Sequence, residues 1–247
     1  MPHLWFSVYD FSFSYKDADP AFIDSKSFDW ANDLETSVDL IRTELQKYIE
    51  DKEFVPYFNT PMVGGKNSWK TISLKWWSIE VFKNQNYFPF TTAIINKYPN
   101  IVSASFNLLE SESAIKAHYG DTNAIYRCHL GLVIPAGLPN CGFRVNDEKR
   151  AWENNKWLIF LDANNHEAWN NTPKDRYILS IDVIRDEFIQ KKSFICSTVF
   201  TSLFLQKRAR KYKIIFETKP LLVKILAKAL RLIVQLGMYL SNKLRIF

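Results

Sequence analysis

Between residues 101 and 184 the chain reads as a succession of short β-strands broken by turn residues, and few architectures accept that pattern. The strand candidates are 101–109, 126–134, 141–145, 157–161 and 177–184. Short strands at near-regular spacing predict a sandwich or a jelly roll. A chain of 247 residues, 47% apolar, can bury one such core and carry extensions. Aromatic residues at 15% and only seven glycines exclude a disordered or low-complexity chain. No internal repeat is visible.

The flanks read differently. Residues 4–15 alternate loosely and predict a strand. Apolar Leu34, Val38, Leu40, Ile41 and Leu45 recur at helical spacing and predict a helix over 30–50. Two prolines and the Gly64-Gly65 pair make 56–66 a loop, with an ordinary turn at the glycines favoured over a lid. A strand is expected over 69–77 and a short helix over 91–98. Beyond Arg185 an apolar stretch at 194–205 precedes a charge run at 207–213, and Pro220 opens a long helical pattern. There Lys224, Lys228, Arg231, Gln235 and Asn242 share one narrow stripe, surrounded by Leu, Ile, Val, Ala and Met. The expected organisation is an N-terminal extension at 1–28, a central strand-rich domain at 29–188 and a helical tail at 189–247.

Charge separates body from tail. Residues 190–247 hold 13 Lys and Arg against the single acid Glu217, whereas the rest of the chain has 19 basic and 25 acidic residues. A concentrated like charge points to an anionic partner. Three readings follow for the helix: packing on the body with its polar stripe toward solvent, lying on an anionic membrane through 207–247, or spanning. Its charges oppose spanning, since each costs on the order of 2.5–3.5 kcal/mol near the bilayer centre. An oligomer through the same helix fits the packed reading. Nucleic acid is not an expected partner, because no basic-aromatic groove motif accompanies the tail. The odd set Cys128, Cys141 and Cys196 lacks paired spacing and argues against a disulfide scaffold. With no secretory leader evident, a cytoplasmic location is expected, peripheral on a membrane if the tail docks there.

Three of the four histidines, His118, His129 and His166, fall in the strand-rich region, spaced to suit a two-histidine iron site. Residues two apart on a strand share a face, so Arg127 and His129 project together while Cys128, Leu130 and Leu132 face away. A cation beside an imidazole on an inward face marks a pocket for an anion, typically a carboxylate. His118 and Gly120 form a second such pair. In an iron facial triad the position two after the first histidine supplies a carboxylate; here it is glycine.

The pieces His118-Tyr-Gly-Asp-Thr-Asn, Arg127-Cys-His129-Leu-Gly-Leu-Val-Ile-Pro, Phe143-Arg-Val, Trp152, Phe160-Leu-Asp162, His166-Glu-Ala-Trp-Asn and Arg176-Tyr-Ile-Leu-Ser-Ile-Asp-Val together resemble the catalytic region of the aspartyl/asparaginyl β-hydroxylase family. The resemblance covers roughly a third of the chain, about 101–187. It implies a mainly β, cupin-like double-stranded β-helix with helical N- and C-terminal additions. It also implies an Fe(II)- and 2-oxoglutarate-dependent dioxygenase that uses O2. His118 and His166 would hold iron, and Arg176 the distal carboxylate of 2-oxoglutarate. Arg127 and His129 would face the carboxylate beside the keto group. Asn107 falls where the animal enzymes offer a serine hydroxyl, and an amide also donates. Gly120 agrees with those enzymes, in which water completes the coordination. Asp121 is expected to point away, and Ser103 or Asp162 would orient a ligand imidazole.

The substrate implied first is the β-carbon of an aspartyl or asparaginyl residue in a peptide or protein. The alternative is the acyl chain of a membrane lipid. The rival of another class is a jelly-roll binding or scaffold protein without turnover.

Overall fold

Alternation along the predicted strands sorts side chains onto two faces, and the computed structural model shows what each face meets. It describes residues 3–9, 15–16, 19–57, 63–65, 69–209 and 220–247. The strands are β1 (Val55–Pro56), β2 (Val63–Gly65), β3 (Trp69–Trp76), β4 (Ile79–Glu80), β5 (Ile101–Leu109), β6 (Ser113–His118), β7 (Ile125–Val133), β8 (Cys141–Val145), β9 (Glu148–Arg150), β10 (Trp157–Leu161), β11 (His166–Asn170) and β12 (Arg176–Ile184). Every ladder among them is antiparallel. One sheet runs β1-β3-β5-β12-β7-β10 with β4 beside β3, and the other runs β2-β6-β11-β8-β9. Two antiparallel sheets face to face over a shared interior form the expected jelly roll.

On the larger sheet one parity meets helices and the other meets the second sheet. Ala104, Phe106 and Leu108 of β5, Cys128, Leu130 and Leu132 of β7, and Leu179, Ile181 and Val183 of β12 join the core beneath α1 (Asp29–Thr36), α2 (Val38–Asp51) and, past the short α3 (Phe82–Gln85), α4 (Pro89–Asn96). The opposite parity of β7 and β12 presents Arg127, His129, Arg176, Ser180 and Asp182 to the interior between the sheets. An apolar floor of Leu109, Phe143, Phe160 and Ile178 continues that interior. All three cysteines are buried and unpaired.

Several expectations shift. The helix expected over 30–50 is broken at Ser37, where the Thr36 hydroxyl donates back to the Asn32 and Asp33 carbonyls; such back-bonding bends helices. The strand expected over 4–15 is reduced to one bridge from Phe6 to Thr122, followed by a single tight turn at Ser7–Tyr9, with 10–14 outside the described residues. Gly64 and Gly65 pair with Ala114 and Ser113, so they belong to a strand; 58–62 and 66–68 lie outside the described residues.

The C-terminal helices are joined to the body. On α5 (Lys192–Ala209), Ile195, Cys196 and Val199 share a core with Phe6, Trp77, Val102, Ile125 and Ile184. The last helix, α6 (Pro220–Leu244), packs along α5. Of its polar stripe, Arg231, Gln235 and Asn242 turn toward the body while Lys228 is exposed, so the expectation of a stripe facing solvent holds only in part. Arg231 donates to Gln235, whose amide donates to the Ser193 hydroxyl. Asn242 donates to the Ser78 carbonyl and accepts from the Glu80 N–H. Most of the 207–213 charge run lies outside the described residues. No described helix is long and apolar enough to cross a membrane.

Candidate active site

The strands β6 and β11 are neighbours in the smaller sheet, and their ladder sets His118 directly opposite His166. Their ring centroids are 4.1 Å apart at 60°. Both rings enter a cavity of about 570 Å³ between the sheets, which Asn107, Arg127, His129 and Arg176 also line. The fold therefore brings all six sequence-selected residues to one site.

Hydrogen bonds decide the tautomers. Nδ1 of His118 lies 2.7 Å from the Lys116 carbonyl, and Nδ1 of His166 lies 2.8 Å from the Asn164 carbonyl. A carbonyl only accepts, so both Nδ1 atoms carry the proton and both Nε2 atoms keep a lone pair. Backbone carbonyls, rather than Ser103 or Asp162, thus orient these rings; Ser103 instead accepts from the Trp77 N–H. Burial holds His118 down to about 4 and His166 well below the ordinary imidazole range. Neutral rings with exposed Nε2 lone pairs are the metal-binding form.

His129 has the opposite arrangement. Its Nδ1 accepts from the Trp152 indole N–H at 3.3 Å, so the neutral ring carries its proton on Nε2 as a donor. Burial, then the charges of Arg176 and Arg127, keep it neutral. Trp152 also supports Arg176, whose guanidinium carbon stands 4.4 Å from the indole ring. Arg176 is 1% exposed, and its Nε and Nη1 have no hydrogen-bond partner. Burial lowers it to about 10. A buried guanidinium with open donors is costly unless an anion meets it.

Arg127 differs, because it already has acids. It stands opposite Asp182 in the β7–β12 ladder and donates to that carboxylate twice, at 2.8 and 3.1 Å. Its Nη1 lies 2.6 Å from Asp162 Oδ1. Asn107 gives its amide hydrogens to the carbonyl and hydroxyl of Ser105 and accepts from the Trp69 indole. Donation from Asn107 to a keto acid competes with those bonds. Asp121 is engaged by Ser7, Ser202 and Gln206. Among the described residues no third His, Cys, Asp or Glu joins the imidazole pair in a metal cluster.

The model of the aspartyl/asparaginyl β-hydroxylase family matches residues 35–186, more than half of the chain. The chain belongs to this family. Among similar proteins is the ornithine lipid ester-linked acyl 2-hydroxylase of Rhizobium tropici, 32% identical over 171 residues, with 67% of this chain and 61% of that protein covered. The aspartyl/asparaginyl β-hydroxylase of Mus musculus is 34% identical over 113 residues, 42% of this chain and 15% of that protein. The match therefore spans less than two thirds of either relative. Of solved structures, a prolyl-4-hydroxylase of Pseudomonas putida aligns over 61% of this chain and 87% of its own with a TM-score of 0.41 at 14% identity.

Within this β-hydroxylase family member, the glycine two residues after the first histidine has a steric cause. A Cβ on Gly120 would stand 2.0 Å from Asp162 Oδ2 and 2.4 Å from the Asp162 carbonyl oxygen. Asp162 follows β10 and is 1% exposed; burial pushes its carboxyl up to about 7, with Arg127 pulling the other way. From sequence, Trp152 enters only among the pieces of the family resemblance, with no role, and Ser105 is missed. The alternation that selected Arg127 and His129 also marks Ser105 beside Asn107. Nothing local marks Trp152, because its partners come from β7 and β12.

Proposed function

We propose that this family member is an Fe(II)- and 2-oxoglutarate-dependent dioxygenase that hydroxylates an unactivated carbon of a membrane-lipid acyl chain. One observation carries the cofactor reading: a buried guanidinium whose Nε and Nη1 have no hydrogen-bond partner shares a cavity with two imidazoles that present Nε2 lone pairs. That donor set fits a ferrous ion beside a dicarboxylate. Two protein ligands leave positions open for a bidentate keto acid and for O2.

Each residue then has a physical task. His118 and His166 hold the metal, their rings fixed by the Lys116 and Asn164 carbonyls. Arg176, braced on Trp152, receives the distal carboxylate of 2-oxoglutarate in a site where charge-assisted hydrogen bonds are strong. His129 donates Nε2–H toward the carboxylate beside the keto group. Arg127 adds positive charge there from a position locked by Asp182 and Asp162. Asn107 keeps Ser105 and Trp69 in register at the cavity wall. The bound iron supplies dioxygen activation coupled to oxidative decarboxylation of 2-oxoglutarate to succinate, with one oxygen atom going to substrate.

The lipid reading is supported by the relative whose name states a lipid acyl 2-hydroxylase, the longer of the two matches. It is supported also by the apolar C-terminal helix, which suits work at a bilayer. The β-carbon of a peptide aspartyl or asparaginyl residue is the second reading, favoured by Gly120 and the animal relative. The test is incubation with Fe(II), ascorbate and 2-oxoglutarate, then with extracted lipids or with peptides. Iron-dependent succinate release that His166→Ala abolishes, with a one-oxygen mass gain on an acyl chain, is expected. A mass gain on peptide alone would transfer the assignment to the second reading. No succinate and no 2-oxoglutarate-dependent thermal shift would leave the scaffold.

A further inference from the structure

The helix α6 leaves most of its large apolar side chains exposed, unlike an ordinary helix on a protein surface. Arg231, Gln235 and Asn242 lie half-buried beside the buried Val223, Ala227 and Ser241, and the outward side carries Leu221, Ile225, Leu232, Ile233, Leu236 and Leu244, each between 56% and 70% exposed. Surface helices ordinarily turn their apolar stripe to the core. Contiguous exposed apolar surface of this kind marks an interaction site. The orientation is built in, because Val223, Ala227 and Ser241 are buried and Asn242 is hydrogen-bonded on both its amide atoms.

We infer that the outward face of α6 docks into the interfacial layer of an anionic bilayer, the helix axis lying along the membrane plane. Width and charge choose this occupant over a second copy of the chain. A paired helix covers a narrow seam. Here Leu221, Ile225 and Leu232 extend the apolar arc to about half the helix circumference. Two copies would also bring together tails of 13 basic residues and one acid, with no Asp or Glu anywhere in 220–247 to form compensating pairs. Anionic headgroups neutralise that charge, and Lys228 and Lys243 stay exposed to meet them. Since no described helix is apolar enough to span, the helix lies in the interface. The docked layer is mechanically close to the chemistry: α5 packs on α6, and its Leu203 and Gln206 line the cavity that holds the imidazoles. This surface deepens the lipid-substrate reading by naming how the enzyme meets its substrate's phase.

The test is sedimentation of the full chain with vesicles of phosphatidylcholine and phosphatidylglycerol, and with phosphatidylcholine alone. Binding to the anionic vesicles is expected, weakened by salt. The triple variant Ile225→Gln, Leu232→Gln, Leu236→Gln should lower the partition coefficient at least tenfold, and these exposed positions give up no core contact. In a separate Leu232→Trp variant, indole emission should shift to the blue on anionic vesicles. Unchanged binding by the triple variant, no emission shift, or wild-type protein left in the supernatant would overturn the inference. So would a wild-type dimer, seen by sedimentation velocity, that the triple variant converts to monomer without vesicle binding. Succinate release in solution, measured in parallel, keeps the two readings apart. Turnover without vesicle binding removes the docking surface alone, and vesicle binding without turnover removes the dioxygenase alone.

Discussion

Gly120 and Asp162 compete for one volume. The side chain that would follow His118 by two positions is replaced by the carboxylate and carbonyl of Asp162, which also accepts the Gly120 N–H at 2.9 Å. A carboxylate from a different strand connection thus lines the same cavity as the imidazole pair, and the position two after His118 is closed to any side chain.

Gly120→Asp should therefore fail to convert the site into a three-ligand centre. The added carbon meets backbone as well as side chain, and overpacking of a buried site costs about 1–3 kcal/mol. Thermal midpoint and iron affinity should both fall. Asp162→Gly in the same chain should not restore them, because the Asp162 carbonyl remains in place. Recovery of either property in the double variant would refute this account.

Arg176 should behave as a ligand-binding group that destabilises the free protein. Its unpaired Nε and Nη1 cost on the order of 1–3 kcal/mol when buried without partners. Arg176→Met should leave the free protein as stable or raise its midpoint by a few degrees. The same change should remove the thermal shift produced by 2-oxoglutarate. A lowered midpoint with the shift retained is the contrary result.

Arg127 should show the opposite signature. Removing one member of a fully buried pair strands the other at about 3–5 kcal/mol, an upper limit here because the Asp182 side chain is 6% exposed and that of Arg127 25%. Asp182→Asn should therefore lower denaturant stability by up to that amount, Asp162 holding part of the guanidinium. Adding Arg127→Met should recover much of the loss, a coupling that a double-mutant cycle measures. Simple additivity would show that the pair does not act as a unit.

Acid should weaken the metal-free protein below neutral pH. An unfolded imidazole titrates near 6.5, whereas native His118 does so at about 4 and His166 and His129 lower still. Between those values the unfolded chain binds protons at three imidazoles that the native chain refuses, while buried Asp162, raised to about 7, and Asp121, also raised, act the other way. Three sites against two make stability fall as pH drops from about 6.5. His118 contributes at most about 1.4 kcal/mol per pH unit until its native value is reached. Denaturant midpoints at about pH 7.5 and 5.5 report the trend, and a flat or rising profile toward acid would contradict it.

The sequence by itself determined which side chains share a face. Period-two alternation put Arg127 with His129 and opposite Cys128, Leu130 and Leu132, and the structure keeps that division. The strands carrying His118 and His166 were harder to see, since Ser113–His118 and His166–Asn170 are short and carry polar residues. Their pairing is a matter of register between segments far apart in the chain, which no local period encodes. Tertiary structure alone decided the rest. Backbone carbonyls chose the imidazole tautomers, Asp182 and Asp162 claimed Arg127, and Nε and Nη1 of Arg176 met no hydrogen-bond partner. The tail shows the division most clearly. Its composition drew a helix with one polar stripe, but periodicity cannot say which side a helix turns inward. Hydrogen bonds from Gln235 to Ser193 and from Asn242 to Ser78 settled that, and left the leucines outside.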